Sequence, residues 1–515
     1  VPYDPSYFRR KRLGTFAGSW NLWYTLGQVR EGQGRIQEAH DAYAEAVRQI
    51  ESLRVKLSTL ETRASFVEDK QDVYEALIRV LFRLGRMPDA FNYAERSKGR
   101  AFLDLLNQRQ LTSRPIGGPP SPLLEEEVRL AREVAQRQGE IAQLSTAGEA
   151  PPSEELLRQR GDELSAVENR WREVHRALQG KVRTYEGHPT WSPATVPEIQ
   201  TALPARTALL SFYVGRRGAW FFFVDREHAV GREIEAPSVE ISSDVVSLRR
   251  AIMSGTEPHG AGADWTGPAH RLYRALVAPI RPRLAGKTNL LVVPHGALHY
   301  LPFQALTGED GLPLVEHLAV SVVPSASILK FLVRMDGRSV KGLGVANPAV
   351  PELSRLPGAE REIQSLSRFW PTETLLRREA TKSAVLSRIG GGRLLHFATH
   401  GELNRFAPLQ SNLRLTPTEA DDGRLTVDEI FDLDLSAELV VLAACDTGLG
   451  VGYKGDTGAA REAQEQVFPA GDELVGLSRA FLYAGTPSLV ASLWPVEDAS
   501  TASLMGRFYE NLRTM

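Results

Sequence analysis

From about residue 200 onward the sequence alternates short, unbroken apolar runs with helical stretches, and few folds accept that pattern. The runs cover residues 208–214, 220–224, 290–293, 319–323, 342–345, 394–398, 439–444 and 488–493. Runs this short, without polar alternation, suit strands buried on both faces of a parallel sheet. Thr381 is placed to cap a helix over 382–389, which Gly390-Gly391-Gly392 would end. Another helix runs through 479–483 and closes at Gly485. Alternation of this kind predicts an open α/β sheet with helices on both faces. Functional side chains in such sheets gather at the carboxyl ends of strands.

Two of the runs end in reactive side chains. The run 394–398 leads into Thr399-His400-Gly401, and 439–444 leads into Cys445-Asp446-Thr447-Gly448. Cys445 is the only cysteine among 515 residues. A lone Cys with a separately placed His is the sequence form of a thiol nucleophile and its base. The imidazole either takes the thiol proton or, once charged, holds the thiolate. The backbone N–H groups of Gly401 and Cys445 are candidate donors to the oxyanion that forms on an attacked carbonyl. Glycine after the His leaves no side chain to block that carbonyl. Rival readings exist. Free cysteine is among the most buried residue types, so a structural thiol is one. His396 and His400 would share a metal-binding face on a helix. On a strand they lie about 13 Å apart, too far for one ion. The run favours a strand, so no metal is expected and His396 reads as a packed structural residue. A phosphatase-type thiolate loop would want Arg six residues after the Cys, where this chain has Val451.

The N-terminal part has a different texture. Residues 1–110 read as helical repeats: Trp23, Leu26, Gly27, Gly34, Ala39, Tyr43 and Ala46 follow tetratricopeptide (TPR) spacing. The pattern returns as Gly85, Ala90, Ala94 and Ser97, an offset longer than one repeat of about 34 residues. That excess predicts an overlong helix through 50–80. Two repeats stack only marginally, so further repeats are expected upstream of Val1. Residues 111–195 follow as a Pro/Gly linker, Pro115-Ile116-Gly117-Gly118-Pro119-Pro120, and two charged amphipathic helices over 122–146 and 153–179. They read as a helical hairpin and spacer.

Net charge is −2, so no global field favours nucleic acid or an anionic membrane surface. One cysteine excludes an intrachain disulfide framework and fits a reducing compartment. No apolar run approaches the roughly 20 residues of a membrane span. No signal peptide is visible, and a cytoplasmic setting is expected. The chain opens on Val1 and reads as a fragment of a longer protein.

Several further motifs join the two strand ends. They are Val293-Pro294-His295-Gly296-Ala297-Leu298 with Leu301-Pro302-Phe303, Leu356-Pro357-Gly358-Ala359-Glu360, Leu477-Ser478-Arg479-Ala480-Phe481, and Ala491-Ser492-Leu493-Trp494. Together they resemble the CHAT family of caspase-like cysteine proteases, often fused to TPR repeats. The segment Ala94-Glu95-Arg96-Ser97-Lys98-Gly99-Arg100-Ala101 resembles the repeat that precedes such domains. The resemblance implies a caspase-like α/β domain over 196–515, with a mostly parallel sheet flanked by helices. Within it, 196–380 would be a pseudo-catalytic half and 381–515 the catalytic half. The family usually continues past a helix like that at 508–512, so the C-terminus is expected to be truncated. The resemblance also implies peptide-bond hydrolysis through a thioester by a Cys445–His400 dyad, without metal or cofactor. It implies kinship with separase and caspases, a bacterial source with a possible link to antiphage defence, and a protein substrate or regulator bound by the repeats. A catalytically silent scaffold and another thiol acyl-transfer enzyme are the alternatives. The loop 451–470 is longer than the family pattern, either a groove border open to cleavage or a surface insertion. An acidic substrate pocket would select Lys or Arg, and Asp446, Asp472 and Glu473 are its candidate residues. Trp494 is either a subsite wall or core.

Overall fold

The apolar runs build two five-stranded sheets rather than one. In the computed structural model, the described residues are 19–54, 70–98, 193–255, 264–330, 341–404, 408–443, 476–494, 496 and 498–514, with scattered helical residues between 126 and 174. The first sheet holds β1 (Thr207–Val214), β2 (Ala219–Val224), β3 (Ala229–Glu233), β4 (Asn289–Val293) and β5 (Ala319–Val322), in the order β3-β2-β1-β4-β5. Its β1, β4 and β5 run parallel, and β2 and β3 join as antiparallel neighbours. The rest of the chain contributes β6 (Gly342–Ala346), β7 (Thr372–Leu376) and β8 (Leu394–Ala398). A small antiparallel trio follows: β9 (Gly401–Glu402), β10 (Asn412–Arg414) and β11 (Arg424–Thr426). The chain then adds β12 (Leu439–Leu442) and β13 (Ser488–Ala491). The second large sheet has the order β13-β12-β8-β6-β7, and every neighbouring pair in it is parallel. The expected mostly parallel architecture is therefore present, divided between two sheets. Local pattern marks a strand as buried but does not say which strand it pairs with.

Among the described residues four helices form two antiparallel pairs at the N-terminal end: α1 (Ser19–Gly32) with α2 (Ile36–Arg54), and α3 (Gln71–Arg83) with α4 (Met87–Ser97). Gly34 (φ +74°) and Gly85 (φ +70°) make the left-handed turns between the members of each pair. Ala39 and Ala90 are fully buried at the crossings. Gly27 lies under the Tyr43 ring, where a Cβ would come within 2.3 Å of the ring. The expected overlong helix through 50–80 lies in part, at 55–69, outside the described residues. Its described part ends at Arg54, and α3 starts afresh after Lys70, whose φ of −114° and ψ of 8° are not helical. Asp72 in the first turn of α3 suits a helix start, because its charge complements the dipole there.

The repeats are the second helix layer of the first sheet. Alternate residues of β1 face opposite sides. Ala208, Leu210 and Phe212 pack with α6 (Ser238–Gly255) and α7 (Thr266–Leu276), which follow α5 (Val196–Ala202). Leu209 and Tyr213 pack with Leu77, Leu81 and Phe91 of the repeats. Polar contacts lock this face. The Glu75 carboxylate accepts the backbone N–H groups of Arg216 (3.0 Å) and Arg217 (2.7 Å) at the β1–β2 turn. Buried Glu95 accepts from Ser325 Oγ (2.8 Å), Ala326 N–H (2.9 Å) and Ser211 Oγ (3.1 Å), and pairs with buried Lys98 at 3.3 Å. Lys98 in turn donates to Ser211 Oγ at 2.6 Å.

Between repeats and sheets, the described helical residues of 126–137 and 155–174 run antiparallel. Glu126 pairs with Arg170 at 3.1 Å and Arg137 with Glu163 at 3.0 Å, while Leu130, Val134 and Val174 are buried. Among the described residues no helix is long and apolar enough to cross a membrane.

Candidate active site

Three parallel strands of the second sheet end level with one another. In the ladder, Phe397 of β8 registers with Leu442 of β12, and Leu442 with Ala491 of β13. The Ala443 N–H continues the pairing with a 2.9 Å bond to the Phe397 carbonyl. His400, Cys445 and Trp494 each stand three residues beyond one of these registered positions. His400, Gly401 and Trp494 are described. Cys445, Asp446, Asp472, Glu473 and the loop 451–470 lie outside the described residues.

His400 is half-buried, and its Nε2 lies 2.9 Å from the Ser354 carbonyl oxygen. A carbonyl only accepts, so Nε2 carries the hydrogen. In the neutral ring that leaves Nδ1 as the basic nitrogen. The His400 carbonyl accepts the Arg414 N–H at 2.8 Å. Antiparallel ladders alternate hydrogen-bonded and non-hydrogen-bonded pairs. The next pair, Gly401 with Leu413, is therefore non-hydrogen-bonded, and the Gly401 N–H points away from β10.

The segment 348–356, which carries Ser354, is tied down at both ends. Asn347 sits at φ +48°, a left-handed conformation that Asn tolerates. Its Oδ1 accepts the Leu356 N–H at 2.8 Å, and its Nδ2 donates to Glu360 at 2.7 Å. The Asn347 N–H donates to the Ala398 carbonyl at 3.1 Å, fixing the segment to the end of β8. The Arg377 guanidinium beside Glu360 holds that carboxyl below the usual range. The second tie is Arg414, 3% exposed, which pairs with Glu352 and lies 3.5 Å from Glu402. Sequence reasoning passed over both ties. Ser354 acts through its main chain and leaves no side-chain signal. Asn347-Pro348 carried one, since Asn before Pro favours turn initiation.

His396 is fully buried, with Nδ1 2.5 Å from the Tyr509 hydroxyl on α12 (Asp498–Thr514). The chain reaches α12 through α8 (Pro357–Ser367), α9 (Lys382–Leu386), α10 (Val427–Phe431) and α11 (Leu477–Tyr483). Burial, with Glu362 nearby, pushes the Tyr509 hydroxyl far above its ordinary range, so it stays a donor. His396 Nε2 lies 3.0 Å from Glu362 Oε2 on α8, off the line of a well-formed hydrogen bond, so that contact is electrostatic. These contacts fit a packed structural histidine. Among the described residues no three His, Cys, Asp or Glu side chains are grouped to hold a metal ion.

Residues 266–515 match the family model of the CHAT domain. The chain carries a CHAT domain. The match begins at the first residue of α7, yet β4 inside it pairs with β1 ahead of it, so the first sheet extends beyond the matched span. Tetratricopeptide repeat protein 28 of Mus musculus is 24% identical over 593 residues, covering 97% of this chain and 23% of that protein. The Homo sapiens protein of the same name is 24% identical over 587 residues, covering 95% and 22%. The likeness to both runs through the repeats and the CHAT domain, and the chain spans under a quarter of these relatives' length. A crystal structure of the Saccharomyces cerevisiae separase–securin complex superposes with a TM-score of 0.33 and 8% identity, over 96% of this chain and 44% of that one.

Proposed function

We propose that the CHAT domain is a cysteine endopeptidase with Cys445 as nucleophile and His400 as base. The observation that carries this reading is the register of β8, β12 and β13, which levels the strand ends leading to His400, Cys445 and Trp494. Neighbouring strands lie about 4.8 Å apart. Cys445 follows the hydrogen-bonded Ala443 by two residues, so its Cα is at most about 7.6 Å from that of Ala443.

The chemistry follows from the tautomer. Nδ1 of His400 takes the thiol proton while Nε2–H stays on the Ser354 carbonyl. The thiolate attacks the peptide carbonyl carbon, and the Gly401 and Cys445 N–H groups stabilise the oxyanion. Collapse of the tetrahedral species breaks the C–N bond, and the amine leaves with the proton from His400. Water, deprotonated by the same imidazole, then hydrolyses the thioester and frees the thiol. Trp494 walls a subsite, and Asp446 and Glu473 supply the negative charge that selects a basic side chain. The substrate or a regulatory protein binds the repeats. Because the repeats pack directly on the first sheet, their occupancy reaches the protease through that shared core rather than through the 111–195 linker.

A peptidyl acyloxymethyl ketone ending in Lys or Arg tests this. Mass spectrometry should find it on Cys445 of the wild-type chain and nowhere on Cys445→Ala. A wild-type chain that stays unlabelled with a repeat-bound protein present would favour a scaffold. Ketone labelling with acylated rather than hydrolysed products would favour another thiol acyl transfer.

A further inference from the structure

We propose that Arg249 is a positioning residue for the substrate wall, holding the backbone that carries Trp494. The inference rests on the protease reading of the same site. Among the described residues β13 is an edge strand, so there the chain beyond Ala491 has no outer strand beside it. The other half of the molecule supplies that hold. Arg249 of α6 is 1% exposed, and its Nη1 donates to the Leu493 carbonyl at 3.0 Å and to the Tyr300 carbonyl at 3.2 Å. Its guanidinium carbon sits 5.8 Å from the centre of the Tyr300 ring. The Leu493 side chain packs on the core between the first sheet and α6–α7, and so does Leu403, two residues after the β9 start at Gly401. The first half therefore grips both the chain after His400 and the chain before Trp494.

The choice of residue is informative. A buried guanidinium is costly unless its donors are satisfied, and an apolar side chain would fill the same space without that cost. What Arg adds is a planar guanidinium whose Nη1 holds two N–H bonds in fixed directions, one for each carbonyl, which a freely rotating lysine ammonium does not reproduce. Trp494 follows the clamped carbonyl directly, so loosening the clamp lets the wall shift while the dyad strands β8 and β12 keep their ladder.

The test compares wild type with Arg249→Met and Arg249→Lys. Hydrogen–deuterium exchange should rise over 488–494 in Arg249→Met, with exchange in β8 unchanged. The ketone concentration for half-maximal labelling of Cys445 should rise about tenfold, since small misplacements of a binding wall carry such factors. Iodoacetamide, which uses no subsite, should label Cys445, read by mass spectrometry, within about twofold of wild type. Arg249→Lys should fall between, which also covers the case in which the Met variant fails to fold. Unchanged exchange over 488–494 would overturn the proposal, and so would an equal loss of reactivity toward ketone and iodoacetamide. A wild-type chain inert to the ketone would instead sink the protease reading, leaving the exchange result to decide the clamp.

Discussion

Cys445→Ala is expected to abolish cleavage of a protein held by the repeats, a loss of at least about 10⁴-fold, while circular dichroism and the unfolding midpoint stay close to wild type. Removing the nucleophile leaves only the oxyanion donors and binding, and these alone give a small residue of the rate. His400→Ala should fall nearly as far. The double variant should be hardly worse than either single one, because a nucleophile and its base act as one unit. Electrophoresis of the incubated pair, with mass spectrometry of the new termini, reads the outcome. Cleavage that survives Cys445→Ala would mean that the chemistry lies elsewhere. The register explains why both variants should act locally: β8 and β12 end before either side chain, so neither substitution touches the ladder.

The second large effect is on stability. Glu95→Ala should destabilise the fold by about 3–5 kcal/mol, read as a lower denaturant midpoint. Glu95 and Lys98 are both fully buried, and the carboxylate also receives Ser211, Ser325 and the Ala326 N–H. Truncating the acid takes the carboxylate away from the buried Lys98 ammonium and removes the acceptor of Ser325 Oγ and the Ala326 N–H. Replacing both partners together with apolar residues of similar volume should recover much of the loss, because the cost lies in the unpaired charge. A loss under about 1 kcal/mol for Glu95→Ala would show that water reaches this site. The contact also fastens α4 to the first sheet, so the variant should expose the apolar face that Leu209, Tyr213 and Trp220 share with the repeats.

Much of this arrangement was legible in the residues. The eight apolar runs became strands with edges shifted by at most a residue or two; most are buried on both faces, which leaves an unbroken apolar signature, while β5 and β13 are partly exposed edge strands whose runs are still apolar. Gly34 and Gly85 marked their turns because only a residue without a Cβ takes those angles freely. Thr381 caps its helix as expected, accepting the Ala384 N–H. Strands β3 and β7 were missed for a physical reason: each is an edge strand with exposed polar positions, so neither reads as an apolar run. The division into two sheets and the repeats' role as a helix layer rest on pairings between distant segments, which local pattern does not carry. The same holds at the site. His400 was visible as a side chain at a strand end. The Ser354 carbonyl that sets its tautomer and the Leu493 carbonyl held by Arg249 Nη1 are long-range contacts to main-chain atoms.

The pairing of Cys445 with His400 is the central claim, and the single cysteine makes it directly measurable without a known substrate. The rate of iodoacetamide alkylation against pH reports the thiol's own titration, with no second cysteine to confuse it. In the wild-type chain the midpoint should lie at or below about 7.5, as for thiols beside an imidazole. In His400→Ala it should return toward the ordinary value of about 8.5. Two superimposable profiles with midpoints near about 8.5 would contradict the pairing.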